Sequence, residues 1–237
     1  MIYSLAELKI EYSGLFGEVE KISTEYLSSG EPDLKIGINK EDIETEREIA
    51  EQPFPDRVLE STAFYRKLAE FLPKKQAFVL HSALFDVDGE GVAFGALSGT
   101  GKTTHMLLWQ RLLGDRMTIV NGDKPIVRFI DEKPIAFGTP FKGKENFGSN
   151  TKTELKHICF IERSLQNSCE EISKEEAFNG ILTQVYMPRD VESLVLTMEL
   201  INKLLSSCKL WRIKCNMDIL AAETAYNAIF KEKKDEA

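Results

Sequence analysis

Ser98, Gly99, Thr100, Gly101, Lys102, Thr103 and Thr104 have the residue types and spacing of a phosphate-binding loop. In such a loop consecutive backbone N–H groups turn toward an anion, and the helix that follows adds the positive end of its dipole. Gly99 and Gly101 permit the backbone angles and the close approach that a β-carbon would hinder. Lys102 is then placed for the β- and γ-phosphates, the Thr103 hydroxyl for Mg²⁺, and Thr104 for an α-phosphate. The general pattern G-x-x-x-x-G-K-[ST] starts with glycine, and here that position is Ala96. It closes the preceding strand, ahead of the N–H nest, where a methyl group is the smallest intrusion.

Mg²⁺ calls for a carboxylate beyond the loop hydroxyl. Asp123 ends the apolar stretch MTIVNGD, and carboxylates at strand ends of α/β sheets stand where ligands bind. The alternative is a plain Asn-Gly-Asp turn. His81 is a second proton-handling candidate, since an ordinary imidazole titrates near neutrality; otherwise it is a core or hairpin histidine. Lys142 and Lys144 lie in TPFKGKENFG, where cations can stabilise a transferring phosphoryl group, bind an anionic acceptor, or form a solvated turn. Arg128 and Arg163 are weaker candidates, expected to pair with acidic neighbours. Asn39–Asp42 spells N-K-E-D, a guanine-reading pattern, but it precedes the loop and reads as a helix start or turn. With no D-x-x-G switch downstream, a regulatory GTPase is disfavoured. DVDGEG resembles the start of a calcium loop, but its twelfth position is Leu97 rather than a bidentate Glu.

The elements that must hold these residues are legible from periodicity. Alternation at Leu8, Ile10, Tyr12 and at Leu34, Ile36, Ile38 predicts strands. EQPFPDRVLESTAFYRKLAEFLPKK predicts a helix with Pro55 in its first turn. Strands are expected at 77–87 and 91–94, joined at Asp88-Gly89. A helix is expected from Lys102 to Leu113, ended near Gly114. RMTIVNGD predicts a strand, and KPIVRFIDEKPIAFGTPF a hairpin turning at Asp131-Glu132. ELKHICFIER and Lys209–Cys215 predict strands. KEEAFNGILTQVYM, ESLVLTMELINKLLSSC and ILAAETAYNAIFKEK predict helices, and the final KEKKDEA a frayed tail. The order is mixed α/β without a linker. One domain is expected, with residues 1–75 completing a core built by residues 76–230.

Bulk properties narrow the class. The chain has 237 residues, 43% hydrophobic and 29% charged, the balance of a soluble globular protein. A net charge of −8 argues against a nucleic-acid partner. Four cysteines without a C-x-x-C pair predict buried thiols in a reducing compartment. No signal-peptide pattern or membrane-length apolar run is present, so a cytoplasmic protein without a membrane partner is expected.

L-S-G-T-G-K-T-T resembles the phosphate loop of ATP-dependent phosphoenolpyruvate carboxykinases. The longer run from His81, H-S-A-L-F-D-V-D-G-E-G-V-A-F-G-A-L-S-G-T-G-K-T, is similar to the catalytic domain of HPr kinase/phosphorylase and its small relatives. N-G-D-K-P at Asn121–Pro125 resembles their N-D-D-K-P. G-T-P-F-K-G-K at Gly138–Lys144 resembles their G-T-P-W-x-G-K, and Cys215–Ala222 their C-N-x-D-x-x-A-A. The resemblance spans residues 75–230. It implies the carboxykinase-type P-loop fold, a mixed β core with flanking helices. It also implies ATP, a divalent metal and transfer to a serine-type hydroxyl. Decarboxylation is not implied, because carboxykinases are much longer. Nothing resembles the N-terminal domain of full HPr kinases, so HPr itself is disfavoured as acceptor. A peptide, another small protein or a small molecule is implied instead, because small relatives accompany peptide-modification systems. Full HPr kinases assemble, which raises a homo-oligomer as an option. Gly122 replaces the first of the family's paired aspartates. Either Asp123 is the base while Thr103 and phosphates hold the metal, or Asp123 holds the metal and another group such as His81 assists. The alternative to a kinase is a nucleotide-binding sensor or accessory protein without transfer activity.

Overall fold

The structure, a computed structural model, describes residues 1–97 and 99–231. Ile2–Leu5 (β1) and Leu8–Ser13 (β2) form a hairpin through Ala6 and Glu7, both at positive φ. Leu8, Ile10 and Tyr12 are buried on one face, as their period-two spacing requires. Glu18–Ile22 (α1) leads to Leu34–Gly37 (β3), which joins β2 in parallel. Asn39 caps Lys40–Ile49 (α2) through a reciprocal box with Asp42, so N-K-E-D is a helix start. Asp56–Phe71 (α3) follows; Pro55 is its N-cap, one step outside the first turn. Its buried Leu59, Ala63, Phe64 and Leu68 recur at helical spacing.

The rest of the chain runs Ala77–Val79 (β4), Ala83–Val87 (β5), Glu90–Gly95 (β6), Lys102–Leu113 (α4), Met117–Asn121 (β7), Ile126–Ile130 (β8), Lys133–Phe137 (β9) and Lys152–Arg163 (β10). Ser168–Glu171 (β11), Lys174–Leu182 (α5), Val191–Ser207 (α6), Lys209–Cys215 (β12) and Ile219–Tyr226 (α7) complete it. Among the described residues, β1-β2-β3 form one sheet. A second, nine-stranded curled sheet has the order β4-β8-β9-β10-β6-β5-β7, with β12 pairing β10 and β11. β10 serves two surfaces: residues 152–154 pair antiparallel with β9, and later residues pair in parallel with β6 and β12.

The turns at Asp88-Gly89 and Asp131-Glu132 form as expected, with both central residues at positive φ. The single strand expected over 77–87 is instead two. Leu80–Ser82 break it because β4 pairs with β8 while β5 lies between β6 and β7. α5 stops at Leu182, and Val185 bridges Leu80 rather than extending the helix. β11 is largely exposed, which left no apolar pattern to announce it. α7 passes into a π turn at Asn227, and the expected tail lies, apart from Lys231, outside the described residues.

Direction places the site. β6, β10 and β12 are parallel, and β5 is antiparallel to both β6 and β7. The carboxyl ends of β6, β7, β10 and β12 and the amino end of β5 therefore share one edge, where ligands enter open α/β sheets. One apolar cluster joins the small sheet and α3 to Ala77, Val79, Ile126 and Phe137 of the large sheet. Another fills the space beneath α5 and α6, and a third lies beneath α4 and α7. Among the described residues, no helix is long and apolar enough to cross a membrane.

Candidate functional site

β6 delivers the chain into the loop. Ala96 is buried in the cluster beneath α4, so its methyl group is absorbed by packing. Gly99 and Gly101 have φ of 75° and 118°, angles that glycine adopts at low cost. Gly101 opens α4, and no side chain caps that end. The first-turn N–H groups of a helix lack intrahelical partners, which suits them to an anion. Thr103 is half-buried and Thr104 exposed in that turn. Ser98 lies outside the described residues. Arg163, at the end of β10, donates to the Gly99 carbonyl and, through Nε, to the Thr100 carbonyl at 3.2 Å. It braces the loop rather than pairing with an acid, and it occupies these two carbonyls, while the Thr100 N–H is taken by the Leu97 carbonyl at 3.1 Å. Arg128 likewise takes a carbonyl, that of Ala6, at 2.9 Å.

Lys102, His81 and Asp123 meet beside the loop. Lys102 Nζ donates to the Ala96 carbonyl at 2.9 Å and lies 3.4 Å from His81 Nε2. The same nitrogen is 3.2 Å from Asp123 Oδ1, and Lys124 Nζ holds Oδ2. An ionised carboxylate can only accept, so His81 Nε2–H donates to Asp123 Oδ1, and Lys102, itself only a donor, is anchored by the Ala96 carbonyl. Burial pushes the Asp123 carboxyl upward, but the His81 hydrogen bond and the Lys124 ammonium outweigh it and hold the pKa at about 2. Burial lowers the Lys102 pKa; the Asp123 charge opposes that and the Lys124 charge adds to it.

Asn121, Thr139 and Gln184 hold this cluster and were not singled out as site residues by the sequence. Asn121 is fully buried at the end of β7. Its Oδ1 accepts from the N–H groups of Asp123 (2.9 Å) and Lys124 (2.8 Å), and its Nδ2 donates to the carbonyl and hydroxyl of Thr139. Thr139 in turn donates to the Lys124 carbonyl at 2.7 Å. N-G-D-K-P and G-T-P-F-K-G-K are thus two halves of one hydrogen-bonded unit. The His81 N–H donates to the Gln184 carbonyl at 2.6 Å. The Gln184 amide, oriented by its partners, donates to the carbonyls of His81 (2.8 Å) and Ala96 (3.2 Å). A single glutamine thereby spans the histidine and the start of the phosphate loop. Only the fold brings it there, so no local signal could have found it.

The second lysine pair divides. Lys142 Nζ donates to Glu25 Oε2 at 2.9 Å, which directs it toward the N-terminal region. Lys144 is exposed on the same loop. Gly122 packs tightly: its N–H donates to the Phe147 carbonyl at 2.9 Å. A β-carbon there would meet Phe147 Cβ and carbonyl O at 3.2 Å and the Lys142 carbonyl at 3.3 Å.

No family model matches the chain, and no curated protein matches it. Among solved structures it is similar to the HPr(Ser) kinase/phosphatase from Coxiella burnetii, at 11% identity and a TM-score of 0.38. That match covers 67% of this chain and 99% of the other. The likeness is distant and concerns overall arrangement; the site rests on its own geometry.

Proposed function

We propose that this protein is a phosphotransferase of the carboxykinase-type P-loop class. It moves the γ-phosphoryl group of ATP to a serine-type hydroxyl on a peptide, small protein or small molecule. The observation that supports this most is the gathering of Lys102, His81 and Asp123 at the edge where the loop opens, with His81 hydrogen-bonded to Asp123. In the proposed reaction the acceptor oxygen bonds to the γ-phosphorus, the bond to the β,γ-bridging oxygen breaks, and ADP leaves. Asp123 receives the hydroxyl proton. Its low pKa keeps it ionised and makes it a modest base. Phosphoryl transfer through a loose transition state depends chiefly on positioning and electrostatics, so a modest base suffices. His81 orients the carboxylate, and Lys102 exchanges the Ala96 carbonyl for phosphate oxygens.

The donors present suit Mg²⁺. With Asp123 serving as the base, Thr103 would supply a hydroxyl, and Mg²⁺ would keep waters and phosphate oxygens for its other positions. Among the described residues no group of three or more His, Cys, Asp or Glu gathers, and Mg²⁺ bound with a nucleotide needs none. When bound, the ion would neutralise charge on the phosphates.

One observation favours a second reading, a nucleotide-binding sensor without transfer. Backbone and Phe147 fill the space beside Gly122, where a second carboxylate would stand. Incubation with γ-labelled ATP, Mg²⁺ and a panel of hydroxyl acceptors separates the two. Transfer that disappears in Lys102→Ala and Asp123→Asn supports the kinase. A melting temperature raised by ATP with no label moved supports the sensor. Absence of any ATP effect removes both.

A further inference from the structure

Two carboxylates meet in the N-terminal region without a cation. Glu60 of α3 is 0% exposed. Its partners are backbone N–H groups: Oε1 accepts from Leu15 and, at 3.1 Å, from Phe16, and Oε2 accepts from Phe16 at 3.2 Å. Glu20 of α1 turns one oxygen inward, and this buried Oε2 has no hydrogen-bond partner. Among the described residues, neither carboxylate forms an ion pair. Buried charges in proteins are paired or bound to a metal, because an isolated one is too costly.

Tyr12 of β2 supplies a second, independent sign. It is 1% exposed, and its hydroxyl has no hydrogen-bond partner. That hydroxyl is aimed at Glu60. A β-carbon added at Gly14 would meet Tyr12 Oη at 1.9 Å and Glu60 Oε1 at 2.5 Å, so both oxygens converge beside this glycine. Burial first, then the Glu60 and Glu20 charges, push the Tyr12 pKa far up. Both carboxylates therefore act on a hydroxyl that stays neutral. Two N–H donors leave a carboxylate with unused lone pairs. Carboxylate and hydroxyl oxygens are hard donors, the type that Ca²⁺ takes.

We infer that Glu20, Glu60 and Tyr12 bind a hard divalent cation of the Ca²⁺ class, shared by α1, α3 and β2. Two carboxylates match its charge, and backbone carbonyls and waters supply its remaining oxygens. The ion is separate from any Mg²⁺ held with a nucleotide, and the inference does not rest on the phosphate loop. It bears on the candidate site through α1. That helix leads into the turn Thr24–Tyr26, where Glu25 holds Lys142 and Asn150.

The test uses the full chain, stripped with a chelator and free of nucleotide. Titration calorimetry with Ca²⁺ is expected to show one site. Ca²⁺ at a hundredfold excess over Kd is expected to raise Tm by about 5–10 °C. Glu20→Gln keeps the side-chain shape at a half-buried position and is expected to weaken Ca²⁺ binding about tenfold or more. Tyrosine-sensitised Tb³⁺ luminescence reads the surroundings of the ion. Wild type is expected to emit, Ca²⁺ to displace the signal, Tyr12→Phe to lose most of it and Asp123→Asn to keep it. Absence of both Ca²⁺ binding and a Tm shift in wild type, full affinity in Glu20→Gln, or emission that follows Asp123 rather than Tyr12 would overturn the site. Stabilisation by Na⁺ or K⁺ equal to that by Ca²⁺ would overturn the divalent assignment.

Discussion

At position 122 a side chain has to compete with backbone. The neighbours of an added β-carbon are Phe147 Cβ and carbonyl O and the Lys142 carbonyl, none of them the tip of a flexible side chain. The loop must move by a few tenths of an ångström to admit even a methyl group. Gly122→Ala is therefore expected to cost about 1 kcal/mol and lower Tm by about 2–4 °C. Thermal circular dichroism measures this, and an unchanged Tm would show that the loop is not seated on this glycine. Asn121 is more demanding. Asn121→Ala strands the N–H groups of Asp123 and Lys124 together with the inner side of Thr139, and is expected to cost about 2–3 kcal/mol in urea unfolding. Lys102 and Asp123, proposed to touch ligand atoms directly, declare themselves by type and spacing. Asn121, Thr139, Gln184 and the bracing Arg163 act on backbone groups of remote segments, and no local pattern encodes a remote carbonyl.

Within α4, the buried imidazole makes a prediction about pH. His105 has a folded pKa of about 4 against the ordinary imidazole value of 6.5. Below pH 6.5 the unfolded chain takes up a proton that the folded state refuses. Stability therefore falls as pH drops from 6.5 toward 4 and levels off below, a change of about 3 kcal/mol. His105→Leu is expected to flatten this limb, whatever its stability at neutral pH. Urea titrations at several pH values between 4 and 7 read the slope, and an unchanged slope in the variant would place the proton elsewhere. The Asp123 contribution, from a carboxyl depressed to about 2, is lost progressively below about pH 5, so the limb between pH 5 and 7 is the part that reads His105. Both ends of α4, Lys102 and Leu113, were legible because glycines bracket an amphipathic run. Less legible was the interruption at Leu80–Ser82. Residues 77–87 are apolar apart from His81, Ser82 and Asp86, so composition reads one strand, while pairing with two different neighbours requires two. That break lifts His81 out of a ladder and toward Asp123. The feature that sequence patterning smoothed over is therefore the one that assembles the site.

For the whole molecule, the N-terminal region is fastened to the site as well as to the core. Lys142 reaches Glu25, Asn150 donates to the Glu25 carbonyl at 2.8 Å, and Arg128 holds the Ala6 carbonyl. Phe64 of α3 packs on Tyr12 of the small sheet, with ring centroids 4.8 Å apart, and on Phe141 of the site loop at 6.0 Å. Tyr65 packs on the same Phe141 at 5.2 Å and lies beneath the Lys124 ammonium, the partner of Asp123. Residues 1–75 carry no pattern that announces this role, because the contacts run to residues more than fifty positions away. On these contacts, residues 1–75 and 76–230 are expected to unfold as one cooperative unit. Calorimetry of the wild type should show a single transition with equal calorimetric and van't Hoff enthalpies. Phe64→Ala removes a fully buried ring from the junction and is expected to cost about 3–5 kcal/mol. It should move the entire transition downward without splitting it, and weaken ATP-induced stabilisation through the Phe141 and Tyr65 contacts. Two separable transitions in the wild type, or a variant that loses only a minor early transition, would show that the N-terminal sheet folds apart from the site it adjoins.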